Sequence, residues 1–359
     1  MSGDEPAKPA VVAGPGSGPG GAPRAIALSP ILSARYRSGD LERIRAAAPG
    51  AQIVTLSVEG LADEPVDDVE ALLHGWLSAD AFDRLLARAP RLAWVHSASA
   101  GVERALTPAA RERGIVITNA RGVFSRPIAE YVMMMILAVR RKLPGLLELQ
   151  RERTWQPLEG GELRDVTVGI VGLGSIGRAV GALATAFGCR VIATRRRPDT
   201  PATTADGEAS DELSFGEAML DRVGGPDTLP ALLAEADFVV LAAPLTSETE
   251  NMIDAETLAA MKPGAWLINV ARGRLVDERA LLRALRDGPM GGAILDTFRD
   301  EPLQPTSPFY DLPNVIVTPH TSWSSSRVLD RSVELFCDNL RRFAAGEPLL
   351  NVVDPRQGY

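Results

Sequence analysis

The chain reads as an α/β protein with two Rossmann-like domains, each built on a parallel sheet, and three observations point there. Short β-branched runs alternate with amphipathic stretches along most of the sequence. A glycine-rich turn, Gly172–Leu173–Gly174–Ser175–Ile176–Gly177, lies between one such run and an Ala-rich segment. The alternation also falls into two units, joined near Asn119–Ser125.

In the first unit, order is expected to begin with a strand over 25–28, after a Gly/Pro/Ala-rich stretch at 1–24. That stretch lacks an apolar segment, so it reads as a disordered tail and not as a signal peptide. A helix over 41–48, strands over 52–56 and 72–76, a helix over 78–89 and strands over 92–95 and 115–118 follow. The small-residue loop Ser97–Glu103 comes just after a strand's carboxyl end, where open α/β sheets hold ligands. It is either a site whose N–H groups hold a carboxylate or a plain turn into a helix. Ser125 reads as an N-cap with Pro127 in the first turn, opening a helix through Arg141. Ile128, Tyr131, Val132, Met135, Ile136 and Val139 share one face of it.

In the second unit, the strand over 167–171 feeds the glycine turn, and the Ala-rich helix after it stops at Gly188. Gly172 suits the tight turn, Gly174 close approach of a pyrophosphate, and Gly177 packing of helix on strand. The helix N-terminus adds unpaired N–H groups and a positive dipole end, so the turn is a dinucleotide site. Strands follow over 190–194, 238–242, 265–270, 292–296 and 315–318, with helices over 229–236, 254–260 and 278–286. Together they make a six-stranded doubly wound sheet. The segment 198–226 is read as a surface insertion, and the amphipathic helix over 325–344 as returning to the first domain.

Composition narrows the function. The 359 residues are 45% hydrophobic and 23% charged, ordinary for a globular protein, and the net charge of −8 argues against nucleic acid or an anionic membrane as partner. The longest apolar run, 131–139, is too short to span a bilayer. Two distant cysteines, Cys189 and Cys337, suggest neither a disulfide framework nor a Cys-based metal site, and cytoplasm is the default compartment. His74 and His96 read as hydrogen-bonded structural residues, and no metal-ligand spacing is present.

Strand ends of the second unit carry the chemistry. Arg272 follows one strand, Asp296 and Glu301 the next, and His320 the last. Carboxyl ends of parallel strands converge, so Arg272, Glu301 and His320 can meet. Such a set suits reduction of a 2-oxo acid: a guanidinium fork grips carboxylate and carbonyl oxygens, and an imidazolium steadied by a carboxylate donates the proton.

The sequence Val168–Gly177 resembles a signature of the D-isomer-specific 2-hydroxyacid dehydrogenases. So do Met261–Gly273, Leu295–Phe298 with Glu301–Leu303, and Pro313–Val315 with Thr318–His320. The resemblance spans roughly 25–354. It implies a substrate domain, flavodoxin-like and formed by both chain ends (25–120 and 322–355), closing over a dinucleotide-binding domain at 121–321, as a homodimer. It also implies that Arg272 orients substrate, Glu301 supports His320, and His320 is the acid/base. Ala100 and Gly101, with Arg272, would bind substrate. Gly172, Gly174, Ser175, Ile176, Gly177, Arg195, Arg196, Pro244, Ala271 and Asp296 would bind cofactor, Asp296 through the nicotinamide carboxamide.

Two departures stand out. NAD-dependent members carry an acidic residue after the second strand, where this chain has Arg195, Arg196 and Arg197. Arginine pairs with a 2′-phosphate, so NADP is expected, with NAD as the alternative; otherwise these arginines decorate a solvated turn. Trp323 stands where small residues are usual, and either walls the substrate pocket or packs at the hinge. The expected activity is reduction of a glyoxylate- or hydroxypyruvate-like 2-oxo acid. The alternatives are an NAD-dependent D-3-phosphoglycerate dehydrogenase and a nucleotide-sensing, corepressor-like binding protein.

Overall fold

The computed structural model describes residues 20–30, 36–198 and 219–356. They divide into two compact units, one formed by the described residues up to 120 together with those from 329 on, the other by those between 121 and 328. The expected tail lies mostly outside the described residues. At the start of the described residues the chain is pinned: the Gly21 N–H donates to the Ala344 carbonyl at 2.7 Å.

The first unit holds a five-stranded parallel sheet in the order β2-β1-β3-β4-β5. Its strands are β1 (Ala25–Leu28), β2 (Gln52–Thr55), β3 (Val69–His74), β4 (Trp94–Ser97) and β5 (Val116–Asn119). This is the flavodoxin-like order. Covered on both faces, the strands other than β2 are buried along almost their whole length, as central parallel strands are. Helices α1 (Ser38–Ala47), α2 (Ala79–Arg88) and α3 (Pro108–Glu112) connect them. The Ser78 and Thr107 hydroxyls cap α2 and α3 by accepting from the Ala81 and Ala110 N–H groups. Removing either cap costs about 1 kcal/mol.

The second unit opens with α4 (Ser125–Arg140) and α5 (Leu143–Arg151). Its sheet contains β6 (Thr167–Val171), β7 (Arg190–Thr194), β8 (Arg222–Gly224), β9 (Phe238–Leu241), β10 (Trp266–Asn269), β11 (Gly292–Leu295) and β12 (Val315–Val317). Helices α6 (Ser175–Ala186), α7 (Leu229–Glu235), α8 (Ala255–Ala259) and α9 (Glu278–Asp287) flank it. All pairs are parallel, in the order β12-β11-β10-β9-β6-β7-β8. The register pairs Thr194 with Val171, Val171 with Leu241, Leu241 with Asn269, Asn269 with Leu295 and Leu295 with Val317. Every residue that follows one of these therefore stands on one edge of the sheet. Gly172, Arg195, Asp296 and Thr318 are among them.

Two expectations need correction, and one element was not foreseen. Among the described residues the sheet has seven strands, not six, because Arg222–Gly224 inside the expected insertion pairs with Ile192–Thr194 of β7; residues 199–218 of that insertion lie outside the described ones. The stretch before the glycine turn holds a further helix, α5, with no buried residue. Ser125 is not an N-cap: Phe124 takes that place in helical conformation, and the Ser125 Oγ is buried without a hydrogen-bond partner among the described residues.

The last helix, α10 (Val328–Ala345), packs in the first unit. Phe336 and Phe343 stack on Trp94 with ring centroids 5.3 and 5.5 Å apart. Offset-stacked rings add about 0.5–1.5 kcal/mol each beyond burial.

Candidate active site

The glycine turn does three separate things. Gly172 has φ 101°, and a Cβ there would stand 2.5 Å from the Ala243 nitrogen, so only glycine lets the turn pass the Ala243–Pro244 loop. A Cβ on Gly177 would stand 2.2 Å from the Gly172 carbonyl oxygen, which fixes how closely α6 packs on β6. A Cβ on Gly174 would meet nothing within 4 Å. Gly174 is the N-cap of the twelve-residue α6 and no side chain caps it. Ser175 and Ile176 open that helix half-buried. Open space in front of uncapped N–H groups at a helix N-terminus is the cradle a pyrophosphate needs, so the residues fit a dinucleotide.

Arg195 leaves β7 beside β8, its N–H donating to the Gly224 carbonyl at 3.0 Å. Its guanidinium donates to the Pro198 carbonyl, while Arg196 next to it is exposed. The added strand therefore holds the arginine segment at the carboxyl edge. Pro244 lies in the loop after β9, its carbonyl accepting from the Thr249 hydroxyl at 2.7 Å.

Past β10, Asn269 builds the turn that carries Arg272. Its Oδ1 accepts from the Ala271 N–H at 3.1 Å and its Nδ2 donates to the Arg272 carbonyl at 3.0 Å. Arg272 in turn donates to the Ala271 carbonyl at 2.9 Å. A Cβ on the next residue, Gly273, would overlap the Phe298 carbonyl carbon at 1.9 Å, so the Arg272 turn lies tight against the chain leaving β11. Sequence reasoning passed over both Asn269 and Gly273; a side-chain amide two residues before a backbone N–H is the signal that points to the first.

His320 and Glu301 come together. His320 Nδ1 and Glu301 Oε2 are 2.8 Å apart, and Glu301 Oε1 accepts from the Phe298 N–H at 3.0 Å. Partial burial pushes the Glu301 carboxyl up, but the His320 and Phe298 hydrogen bonds and the His320 and Arg272 charges outweigh it and hold it below the usual carboxylate range. The two side chains remain 40% and 37% exposed, so the imidazole is open to a ligand. His320 has φ 49°, a left-handed conformation that costs a non-glycine residue about 1 kcal/mol.

Asp296 is fully buried. Its Oδ1 accepts from the Thr318 hydroxyl at 2.6 Å and the Thr321 N–H at 2.8 Å, and its Oδ2 from the Ser322 N–H at 2.9 Å. A carboxylate has about four acceptor positions, so one remains on Oδ2 for a further donor such as a carboxamide. Trp323 packs within the second unit, its ring 6.5 Å from that of Phe124 in a T-shaped contact.

Ala100 and Gly101 belong to the first unit. The Ser97 and Ser99 hydroxyls donate to the Gly101 carbonyl at 3.2 and 2.5 Å, and Asn119 Nδ2 donates to the Ala100 carbonyl at 2.9 Å. With its carbonyls turned into the protein, the loop has no acceptor for the Ala100 and Gly101 N–H groups among the described residues. Among those residues no His, Cys, Asp and Glu group is arranged to hold a metal ion, and no helix is long and apolar enough to cross a membrane.

Comparison with known proteins agrees with this geometry. The NAD binding domain of the D-isomer specific 2-hydroxyacid dehydrogenases matches residues 133–322. A glyoxylate reductase of Thermococcus gammatolerans is 36% identical over 296 residues, covering 79% of this chain and 82% of that one. A D-isomer specific 2-hydroxyacid dehydrogenase from Xanthobacter autotrophicus Py2, solved with NADPH and MES, superposes with a TM-score of 0.79 at 30% identity, over 94% of this chain and all of that one. An NADPH-dependent glyoxylate/hydroxypyruvate reductase from Sinorhizobium meliloti, solved with NADP and sulfate, gives 0.75 at 27% identity, over 93% of this chain and all of that one. With matches of this length in sequence and in fold, the chain belongs to the D-isomer specific 2-hydroxyacid dehydrogenase family and is an NAD(P)-dependent oxidoreductase.

Proposed function

We propose that the protein reduces a small 2-oxo acid of the glyoxylate or hydroxypyruvate kind to its D-2-hydroxy acid, preferring NADPH to NADH. The observation that carries this reading is the His320–Glu301 pair, 2.8 Å apart, beside the Arg272 turn on an NAD-binding sheet. When bound, the reduced nicotinamide supplies the hydride. Nδ1 of His320 faces Glu301, so Nε2 is the nitrogen that gives its proton to the substrate's carbonyl oxygen. Glu301 fixes the ring's orientation through Nδ1. The Arg272 fork pairs with substrate oxygens and favours the charge that develops on the carbonyl. In the first unit, the Ala100 and Gly101 N–H groups are assigned to a carboxylate.

Arg195 and Arg196 support NADPH, because they stand at the end of β7 where a carboxylate would repel a 2′-phosphate. Two of the similar structures hold NADPH or NADP. A cytoplasmic homodimer completes the reading. Both cysteines are buried free thiols, which suits a reducing compartment. Leu143, Leu146 and Leu147 of α5 are exposed, and so is Trp155, an apolar surface that a second copy would cover.

Initial rates with NADPH and NADH, each against glyoxylate, hydroxypyruvate, pyruvate and phosphohydroxypyruvate, test the proposal. NADPH preference with a small oxo acid is expected. A response to the phosphorylated acid alone would make the protein a phosphoglycerate dehydrogenase, and tight dinucleotide binding without turnover would make it a binding protein. Replacing Arg195 and Arg196 with Ala should lower kcat/KM for NADPH roughly tenfold to a hundredfold and leave NADH unchanged. An equal loss for both would refute the phosphate assignment.

A further inference from the structure

Asp296 does more than wait for a cofactor. Its carboxylate accepts from the Thr321 and Ser322 N–H groups on one side of His320 and from the Thr318 hydroxyl on the other. Its backbone carbonyl accepts from the His320 N–H itself at 2.8 Å. Asp296 thus brackets the one residue of this loop whose backbone is left-handed.

The bracket extends to a residue far away in sequence. The Tyr131 hydroxyl on α4 lies 2.6 Å from Thr318 Oγ1, across 187 residues of chain. Thr318 has one proton, and a carboxylate can only accept, so that proton belongs to Asp296. Tyr131 must therefore be the donor to Thr318. The order Tyr131 to Thr318 to Asp296 has only one direction, and each member polarises the next. Tyr131 and Asp296 are buried, so neither hydrogen bond is traded for water without cost. Burial, with the Asp296 charge close by, also pushes the Tyr131 hydroxyl up to about 12, so it keeps the proton it donates.

We propose that Tyr131, Thr318 and Asp296 are positioning residues that hold His320 in its left-handed conformation, with its ring set against Glu301. The proposal rests on His320 being the proton donor; Tyr131 and Thr318 act only through it.

The test compares Tyr131→Phe, Thr318→Val and Thr318→Ser, with His320→Ala as reference. Thr318→Val should lower kcat roughly a hundredfold and Tyr131→Phe roughly tenfold, with oxo-acid KM and dinucleotide Kd within about twofold. Thr318→Ser, which keeps the hydroxyl, should restore kcat. A second readout needs no turnover. The chain has three histidines, and the other two are buried, so His320→Ala assigns the His320 ring resonance. Thr318→Val should move and broaden that resonance, Tyr131→Phe should do so less, and Thr318→Ser should return it. Wild-type kcat with an unmoved resonance in Tyr131→Phe and Thr318→Val would overturn the proposal. So would a loss of kcat that merely follows a loss of dinucleotide affinity. If His320→Ala turns over like the wild type, the proton-donor assignment fails instead, and the ring resonance alone then decides the relay.

Discussion

The strand ends of the two sheets treat histidine in opposite ways. In the first unit His74 and His96 end or nearly end their strands, fully enclosed, each with a buried Nε2 that has no hydrogen-bond partner among the described residues. Burial pushes His74 down to about 4, helped by the Arg104 charge, and burial alone pushes His96 down to about 3. His96 is held by Thr118, which also accepts from the Trp94 indole. In the second unit His320 stands half-exposed with a carboxylate at 2.8 Å and a left-handed backbone. The first two rings are packing units that must stay neutral. The third is left accessible, with a carboxylate on one of its ring nitrogens.

That contrast can be broken most directly by substitution. His320→Ala should lower reduction about a thousandfold while dinucleotide affinity stays unchanged; retained turnover would show that His320 is not the acid. His96→Asn should leave kcat intact and lower the urea midpoint instead. Glu301→Gln keeps the shape but removes the charge, and kcat should fall about a hundredfold, less than for His320→Ala. An equal or larger loss would mean that Glu301 itself touches the reacting atoms.

The smallest expected effect is on stability against pH. For both buried histidines the folded state disfavours the proton that the unfolded chain accepts below about 6.5. Their contribution is therefore complete above that pH. It falls as pH drops towards about 4 for His74 and about 3 for His96. Within that window each costs roughly 1.4 kcal/mol of stability per pH unit. Urea midpoints between pH 7 and 5 should show this decline, and His96→Asn should flatten it. An unchanged slope in that variant would move the effect to other groups.

How much of this was legible depends on sequence distance. The glycine turn is local: strand, three glycines and helix fall within twenty residues, and Gly172 and Gly177 make the close approaches their spacing implies, while Gly174 faces open space. The parallel sheets followed from the alternation of short β-branched runs with amphipathic stretches. Strand β8 escaped notice because Arg222–Gly224 is short, polar and glycine-ended, and it is a strand only because β7 offers it an open edge. Helix α5 escaped because its leucines face outwards, leaving no buried stripe to read. Ser125 looked like a cap because capping was judged from residue type, whereas the turn before it already brings Phe124 into helical conformation. Asp296 was expected to serve the cofactor. Its three donors lie 22 to 26 residues downstream, beyond the reach of any local pattern.

The first unit is closed by a helix that leaves the ribosome after the whole second unit. Until α10 has been synthesised, the face of Trp94 that Phe336 and Phe343 cover is bare, and so is the Ala344 carbonyl that fastens Gly21. The cofactor-binding unit is contiguous in the chain and can be complete by then. Vectorial synthesis thus imposes an order of assembly, with an unfinished sheet kept waiting and in need of protection while its neighbour is already folded.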